Sequence, residues 1–249
     1  MHAALIIPTR DRPDLVDMAH ATIARAGWSS ADAVFVDNGT VDPAALRSLE
    51  VSPHRVIRAP MRFNFARLVN RGARCASADV VVLLNNDVEA RDDGWLGRMM
   101  AAFDDPDVGI VGATLRYPSG RVQHAGIEIE NGAPIHSFGG STWGDLPGSI
   151  RDQVSEPLAV TAACMAVRAD LWADLGGMST PLATNYNDVD LCLRARRSGS
   201  RVALVPIPDL VHHESESRGS RSSPEVAADW LLFRSRWAGL LASTGRRRG

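Results

Sequence analysis

The segment Val80–Asp87 reads Val-Val-Val-Leu-Leu-Asn-Asn-Asp, an unbroken apolar run followed at once by polar residues. A strand without polar positions is typically buried on both faces, as central strands of parallel sheets are. In such sheets ligands bind beyond the carboxyl ends of the strands, where Asn85, Asn86 and Asp87 would lie. The segment therefore predicts a central strand that ends at a candidate binding site.

The rest of the first half of the chain alternates short apolar strands with amphipathic helices. We predict further strands over residues 3–7, 33–36, 55–58 and 108–115, and helices over residues 14–26, 43–49, 65–76 and 95–103. Alternation of this kind is typical of a parallel, doubly wound α/β sheet with helices on both faces.

The second half of the chain has a less regular pattern. It predicts strands over residues 121–129, 160–167 and 202–205, and helices over residues 187–199 and 225–241. A Gly-, Ser- and Pro-rich stretch at 131–148 and a polar stretch at 215–223 predict long loops, which in compact domains are often functional. We expect one domain over residues 1–249, with halves 1–115 and 116–249.

Composition and charge exclude several classes of protein. The chain has 249 residues, a net charge of −2 and 45% hydrophobic residues, which predicts a sizeable core and no nucleic-acid partner. Cys75, Cys164 and Cys192 lie far apart, so neither a zinc motif nor a disulfide framework is expected. The N-terminal apolar run is too short for a signal peptide, and we expect a cytoplasmic protein. Arg246–Arg248 leave two alternatives open, a solvated tail or contact with the inner face of a membrane.

Two clusters contain residue types that bind divalent cations. The carboxylate of Asp87 suits a hard cation that also holds diphosphate oxygens, while Asn85 can bind sugar hydroxyls without adding charge. His212 and His213 follow a strand, and neutral imidazole can ligate Mn²⁺ beside carboxylate and phosphate oxygens. The alternatives are a polar turn after the strand and an ordinary histidine pair.

A third acidic cluster opens a predicted helix at Asn187–Asp190. One interpretation makes Asp188 a general base that faces an acceptor hydroxyl. The other is helix capping, with Asn187 as the N-cap and acids that oppose the helix dipole in the first turn. Asp190 and Arg194 are spaced to form an ion pair on another face of the helix.

These clusters, in this order along the chain, resemble the sequence motifs of the family 2 glycosyltransferases of the GT-A fold. The resemblance is strongest to the bacterial branch that acts on cell-surface polysaccharides and includes rhamnosyltransferases. It covers roughly Leu5 to Gly219 and rests on the segments Ile6–Arg12, Val36–Thr40, Phe63–Gly72, Leu84–Glu89, Tyr117–Gly120, Gln123–Gly126, Thr161–Arg168, Asn187–Arg194 and His212–Ser215. Asn85 and Asn187 depart from the pattern, because each replaces the first acid of a family motif, D-x-D and E-D respectively.

The resemblance implies a single Rossmann-like, mostly parallel sheet flanked by helices, with a smaller β element on the acceptor side. Residues 1–115 would bind the nucleotide-sugar, and residues 116–249, with the C-terminal helix, would bind the acceptor. The implied activity is metal-dependent, inverting transfer of a sugar from a UDP- or dTDP-sugar, with GDP not excluded. A saccharide or lipid-linked saccharide would accept the sugar, in cell-surface glycan or polysaccharide biosynthesis.

The resemblance also implies roles for individual residues. Asp188 would be the catalytic base, and Asp87 with His212 would bind Mg²⁺ or Mn²⁺, with His213 as the alternative ligand. The donor would be bound by Pro8, Thr9, Arg10, Asp37, Asn70, Asn85, Asn86 and Arg218.

Two other classes of function compete with transfer. A catalytically silent binding module would explain the lost acids, and Trp230, Phe233 and Trp237 in the final helix could dock on a partner or on another domain. By default this helix would pack on its own domain, and the alternative is a second copy in a homodimer. A nucleotidyltransferase or a dehydrogenase is disfavoured, because the loop Thr9–Pro13 has no glycine and no G-x-G-x-x-G follows the first strand.

Overall fold

The structure, a computed structural model, describes residues 1–214 and 224–244. Its strands are β1 (Ala3–Thr9), β2 (Ala31–Asp37), β3 (Arg55–Arg58), β4 (Val80–Leu84), β5 (Val88–Ala90), β6 (Val108–Ala113), β7 (Leu115–Arg116), β8 (Val122–His124), β9 (Ile127–Glu130), β10 (Ala133–His136), β11 (Cys164–Arg168), β12 (Arg201–Val205) and β13 (Leu210–His212).

The helices are α1 (Pro13–Ala24), α2 (Pro43–Glu50), α3 (Phe65–Arg74), α4 (Trp95–Ala101), α5 (Gly148–Arg151), α6 (Ala169–Asp174), α7 (Asn187–Arg197), α8 (Pro224–Arg236) and α9 (Ala238–Thr244). Local sequence explains where some of them begin. Asp42 caps α2 by accepting from the N–H groups of Ala44 and Ala45, and Asn64 caps α3. Within the described residues, no helix combines the length and apolarity needed to cross a bilayer.

The main sheet has the strand order β12-β6-β11-β4-β1-β2-β3. Its strands pair in parallel except for β11, which is antiparallel to both β4 and β6. The sheet is therefore mostly parallel, as expected. Because β11 runs the other way, the chain that enters it lies beside the residues that leave β4.

Apolar side chains cover both faces of the main sheet. In β4, Val81 and Leu83 belong to one buried cluster, while Val80, Val82 and Leu84 belong to the other. The alternation arises because successive side chains of a strand point to opposite faces. The apolar run of β4 is thus explained by burial on both sides.

Two smaller β elements complete the fold beside the main sheet. One is a four-stranded sheet with the order β5-β13-β7-β8, and the other is the hairpin of β9 and β10. In the first, His212 pairs with Val88, the residue after Asp87. This pairing brings the two predicted metal-binding segments together.

Several elements of the second half differ from the sequence prediction. The predicted strand 121–129 is divided into β8 and β9. The predicted loop 131–148 contains β10 and ends where α5 begins, at Gly148. The final helix ends at Arg236 and a second one begins at Ala238. The seven-stranded sheet takes β11 and β12 from the second half, and the division at residue 115 stays a prediction.

Helix α3 approaches the main sheet through Gly72. A β-carbon at this position would lie 2.4 Å from Ile6 Cγ2 and 2.8 Å from Val36 Cγ2. We expect Gly72→Ala to lower the free energy of unfolding by ~1–3 kcal/mol in urea titrations, because both neighbours must move. Gly239→Ala is the control, since its β-carbon meets nothing within 4 Å. It should raise the same quantity by ~0.4–1 kcal/mol, and equal effects of the two substitutions would contradict this account.

Candidate active site

The side chains of Asp87 and His212 meet at the carboxyl end of the main sheet. Asp87 Oδ1 lies 3.1 Å from His212 Nε2, and both side chains are buried. Two ligands at about 2.1 Å from one octahedral cation, at right angles, are separated by about 3.0 Å. The pair therefore fits one shared cation. Within residues 1–214 and 224–244, no group of three or more His, Cys, Asp or Glu side chains could hold a metal ion.

Gln123 determines which nitrogen of His212 carries the proton. The Gln123 amide nitrogen faces the backbone oxygen of His212 at 3.4 Å, so its carbonyl oxygen faces His212 Nδ1, at 2.7 Å. Nδ1–H is then the donor, and Nε2 presents its lone pair towards Asp87. A metal-binding histidine is commonly oriented by such a bond through its other nitrogen.

The structure separates the two adjacent histidines. His213 Nε2 lies 2.9 Å from Glu89 Oε2, and the His213 backbone N–H donates to the Asp87 carbonyl. Burial works to raise the pKa of Glu89, but hydrogen bonds from His213 and Arg91 outweigh it, and the pKa is lowered overall. The imidazole of His212, and not that of His213, therefore lies next to the Asp87 carboxylate.

The polar residues after β4 join this pair to β1. Asn86 Nδ2 donates to Thr9 Oγ1 at 3.2 Å, and Asn85 Nδ2 lies 3.4 Å from His212 Nε2. Asn85 and Asn86 are half-buried, so their amides face both protein and solvent. Four predicted donor and metal residues (Thr9, Asn85, Asn86 and Asp87) are thus brought together with His212.

Asp37 lies at the end of β2, the neighbour of β1. Its buried carboxylate accepts from the Thr40 N–H at 2.7 Å and pairs with Arg58 Nη1 at 2.8 Å. Beside it, Asp11 accepts from the N–H groups of Val41 and Asp42, which lowers the pKa of Asp11. The loop after β1 and the turn after β2 are therefore tied together.

Two further predicted donor residues flank Thr9 in this region. Pro8 is partly buried at the end of β1, and the side chain of Arg10 is exposed, with its Nε 3.4 Å from Asp11 Oδ2.

Asp188 is held by the segment that enters β11. Its Oδ2 accepts from the Ala162 N–H at 3.2 Å, and its Oδ1 from the Val189 N–H at 2.8 Å. The adjacent Ala163 carbonyl accepts from the Asn85 N–H at 2.9 Å. One short segment therefore links the predicted base to the predicted metal motif. Asp188 itself is half-buried.

Another residue predicted to bind the donor, Asn70, is engaged elsewhere in the fold. The Asn70 amide is bonded to both the N–H and the C=O of Met178, at 2.9 and 2.8 Å, and joins α3 to the chain after α6. Its amide is thus already used within the fold, and its donor role stays a prediction. Arg218 lies outside the described residues, as do the loop 215–223 and Arg246–Arg248.

His124, which belongs to the motif Gln123–Gly126, is fully buried beside the site. Its Nε2 accepts from the Thr161 N–H at 3.3 Å, so Nδ1–H faces His136 Nδ1 at 3.0 Å. Burial, and then the charges of His136 and His212, hold the pKa of His124 well below its ordinary value. The sequence analysis assigned no role to Gln123 or Glu89, although both occur in the motifs quoted above.

The family of the chain follows from its sequence. Residues 4–158 match the model of glycosyl transferase family 2. The chain belongs to this family. The match spans β1 to the segment before β11 and includes Asp37 and Asn85–Asp87.

The names of two relatives refer to O-antigen biosynthesis and to rhamnosyl transfer. The chain is 32% identical to the O-antigen biosynthesis protein RfbC of Myxococcus xanthus, over 92% of the chain but 18% of that protein. It is 23% identical to the N-acetylglucosaminyl-diphospho-decaprenol L-rhamnosyltransferase of Mycobacterium tuberculosis, over 84% of the chain and 75% of that enzyme. The chain spans 26% and 18% of the two curated relatives that are more than 30% identical to it.

A solved structure has the same fold as this chain. The structure of GalNAc-T7 with UDP, GalNAc and Mn²⁺ superposes with a TM-score of 0.75 at 13% identity, over 97% of this chain and 50% of that one. The fold of this family 2 glycosyltransferase chain is thus GT-A, as the sequence motifs predicted.

The lowered pKa of His124 predicts a pH-dependent stability. An unfolded histidine titrates near pH 6.5, and below that pH the unfolded chain binds a proton that folded His124 does not. Its contribution is therefore present above about pH 6.5 and lost as the pH falls. In urea unfolding with EDTA, the wild type should lose more stability between pH 7.5 and 5 than His124→Gln. Burial also lowers the pKa values of His20 and His54. Both residues are present in the two proteins, so their contributions to the pH dependence cancel in the comparison. Identical pH dependence of the two proteins would rule out this role for His124.

Proposed function

We propose that this chain transfers a sugar from a nucleoside diphosphate sugar to a hydroxyl acceptor and inverts the anomeric carbon. The observation that carries the proposal is the 3.1 Å approach of His212 Nε2 to Asp87 Oδ1, with Gln123 orienting the ring. It is supported by Asp188, which is tied to the same end of the sheet through Ala162 and Ala163.

The donor would lie across the carboxyl ends of β1, β2 and β4. Its base would be bound near Pro8, Thr9, Arg10 and Asp37, where the polar turn after β2 meets the loop after β1. Asn85 and Asn86 have amide groups that can bind ribose or sugar hydroxyls. This assigns the nucleotide to the β1–β2 side and the reacting sugar to the β4 side.

Asp87 and His212 would hold a divalent cation on the donor diphosphate. A carboxylate with an imidazole suits Mn²⁺, and Mg²⁺ is the alternative. When bound, the cation stabilises the charge that develops on the leaving nucleoside diphosphate. Gln123 keeps the His212 proton on Nδ1 and so leaves Nε2 free to ligate.

Asp188 would act as the general base. Its carboxylate accepts two backbone N–H groups, which leaves lone pairs for an acceptor hydroxyl. Asp188 takes the hydroxyl proton as the acceptor oxygen bonds to the anomeric carbon, and the bond to the diphosphate breaks with its electron pair on the leaving oxygen. A single displacement of this kind inverts the anomeric carbon.

We infer that the acceptor is a saccharide or a lipid-linked saccharide in cell-surface glycan synthesis. The support is the similarity to RfbC, which is named for O-antigen biosynthesis, and to the mycobacterial rhamnosyltransferase, whose name contains a lipid-linked sugar. UDP, dTDP and GDP are all retained as candidate nucleotides, and self-association stays a prediction.

The metal site predicts cation-dependent nucleotide binding. In calorimetric titrations of UDP, dTDP and GDP, we expect one nucleotide to bind tightly with Mn²⁺ and weakly without it. Asp87→Ala should abolish that dependence on Mn²⁺, because it removes the carboxylate ligand. Asp92→Ala removes a charge from an exposed position and should leave the binding unchanged.

Persistence of the Mn²⁺ dependence in Asp87→Ala would show that the cation binds elsewhere. If none of the nucleotides binds to the folded wild type, the result favours a silent module over a transferase.

The base assignment predicts a separate loss of turnover. Asp188→Asn should retain Mn²⁺-dependent nucleotide binding but lower kcat for sugar transfer by about 10²–10⁴-fold, because the amide cannot accept the proton at neutral pH. Transfer of radiolabelled sugar to a saccharide acceptor measures kcat, with the exposed Asp174→Asn as control. Unchanged turnover in Asp188→Asn would exclude its role as the base.

A further inference from the structure

Helix α8 places a buried carboxylate against the chain that leads into α7. Asp229 is only 2% exposed, and it accepts from the backbone N–H groups of Ala183, Thr184 and Asn185, at 3.0, 2.8 and 2.9 Å. Hydrogen bonds to an ionised acceptor are stronger than those between neutral groups. The turn at 183–185 is thus built around the charge of Asp229.

The chain goes directly from this turn to the proposed base. Tyr186 follows with φ 61°, a left-handed conformation that is strained for a bulky side chain, and α7 then begins without a side-chain cap at Tyr186. Asp188 lies in the first turn of α7. The direction in which its carboxylate points therefore depends on the three residues that Asp229 binds.

The ring of Tyr186 makes a second contact between α8 and the start of α7. It stacks on Phe233 of α8, with the ring centroids 5.1 Å apart. Burial, and then the charges of Asp229 and Asp188, raise the pKa of Tyr186. Both carboxylates thus act on one side chain at the start of α7.

A further contact joins α7 to α8 beyond Asp188. Asp190, which is fully buried, accepts from Arg236 Nη1 at 2.7 Å and from Trp237 Nε1 at 3.0 Å, and it also pairs with Arg194. Helix α8 and the residue after it therefore contact the chain on both sides of Asp188. Asp229 binds the chain that precedes Asp188, and Asp190, two residues after Asp188, binds Arg236 of α8.

We propose that Asp229 is a positioning residue for sugar transfer, which holds the turn at 183–185 so that Asp188 faces the acceptor. This inference rests on the proposed role of Asp188 as the base. Asp229 acts through the backbone and touches neither substrate nor cation.

The test combines turnover with amide exchange. Asp229→Asn has one oxygen and an NH₂ group in place of two oxygens, so at least one of the backbone N–H groups loses its acceptor. We expect kcat to fall by about 10- to 100-fold, as small displacements of a reacting group do, with the KM for donor and Mn²⁺-dependent nucleotide binding unchanged. By NMR, exchange of the Ala162 amide, which donates to Asp188, should become faster.

Asp229→Glu is the second variant, because it retains the buried charge and so favours folding. Its extra methylene displaces the turn, and the same separation of kcat from KM is expected.

Arg168→Ala is the matched control at the other end of β11. Its guanidinium donates to the backbone carbonyls of Phe103, Asp105 and Val108, so the substitution also removes a charge bound to three backbone groups. It should lower the free energy of unfolding without changing kcat or exchange at Ala162.

Unchanged Ala162 exchange and kcat in Asp229→Asn would overturn the proposal, as would an equal loss in Arg168→Ala. If the wild type transfers no sugar to any acceptor, the proposed function fails, while Ala162 exchange alone still decides whether Asp229 positions Asp188.

Discussion

The antiparallel pairing of β11 with β4 is the constraint on which the site depends. Cys164 pairs with Leu84, so the residues just before β11 lie beside the residues just after β4. At that point the Ala163 carbonyl binds the Asn85 N–H, and the Ala162 N–H binds Asp188. If β11 ran parallel to β4, the chain entering it would lie at the opposite end of the sheet and could not bridge these groups.

Buried polar groups hold the two sides of the site. Near the proposed metal ligands, Gln123 orients His212. Near the proposed base, Asp229 ties α8 to the turn before α7, and Asp190 ties α7 to α8. Each of these groups loses water on folding, which is costly unless hydrogen bonds replace it. Here each group has specific hydrogen-bond partners in place of water, and the same bonds orient His212 and hold the chain on both sides of Asp188.

Much of the fold was predictable, because its signals are local. The apolar run at Val80–Leu84, the turn residues after it and the periodic helices between strands all report on neighbours within a few positions. Asp87, Asp188 and His212 stood out by their order along the chain. Gln123 and Asp229 did not, because Gln123 lies 89 residues from His212 and Asp229 lies 44 to 46 residues from its partners. Asn70 matched a family motif as well as the others did, yet its amide is bonded to Met178.

The sequence by itself determined the class of sheet, the strand that forms its centre and the polar residues at its carboxyl end. These follow from side-chain period and burial, which each segment specifies alone. Only the tertiary structure decided the direction of β11, the choice of His212 over His213 as the neighbour of Asp87, and the contact of Asp229 with the chain before Asp188. Strand pairing and side-chain partners are set by the packing of the whole chain. That packing brings together residues that lie far apart in the sequence, and local periodicity does not report on such contacts.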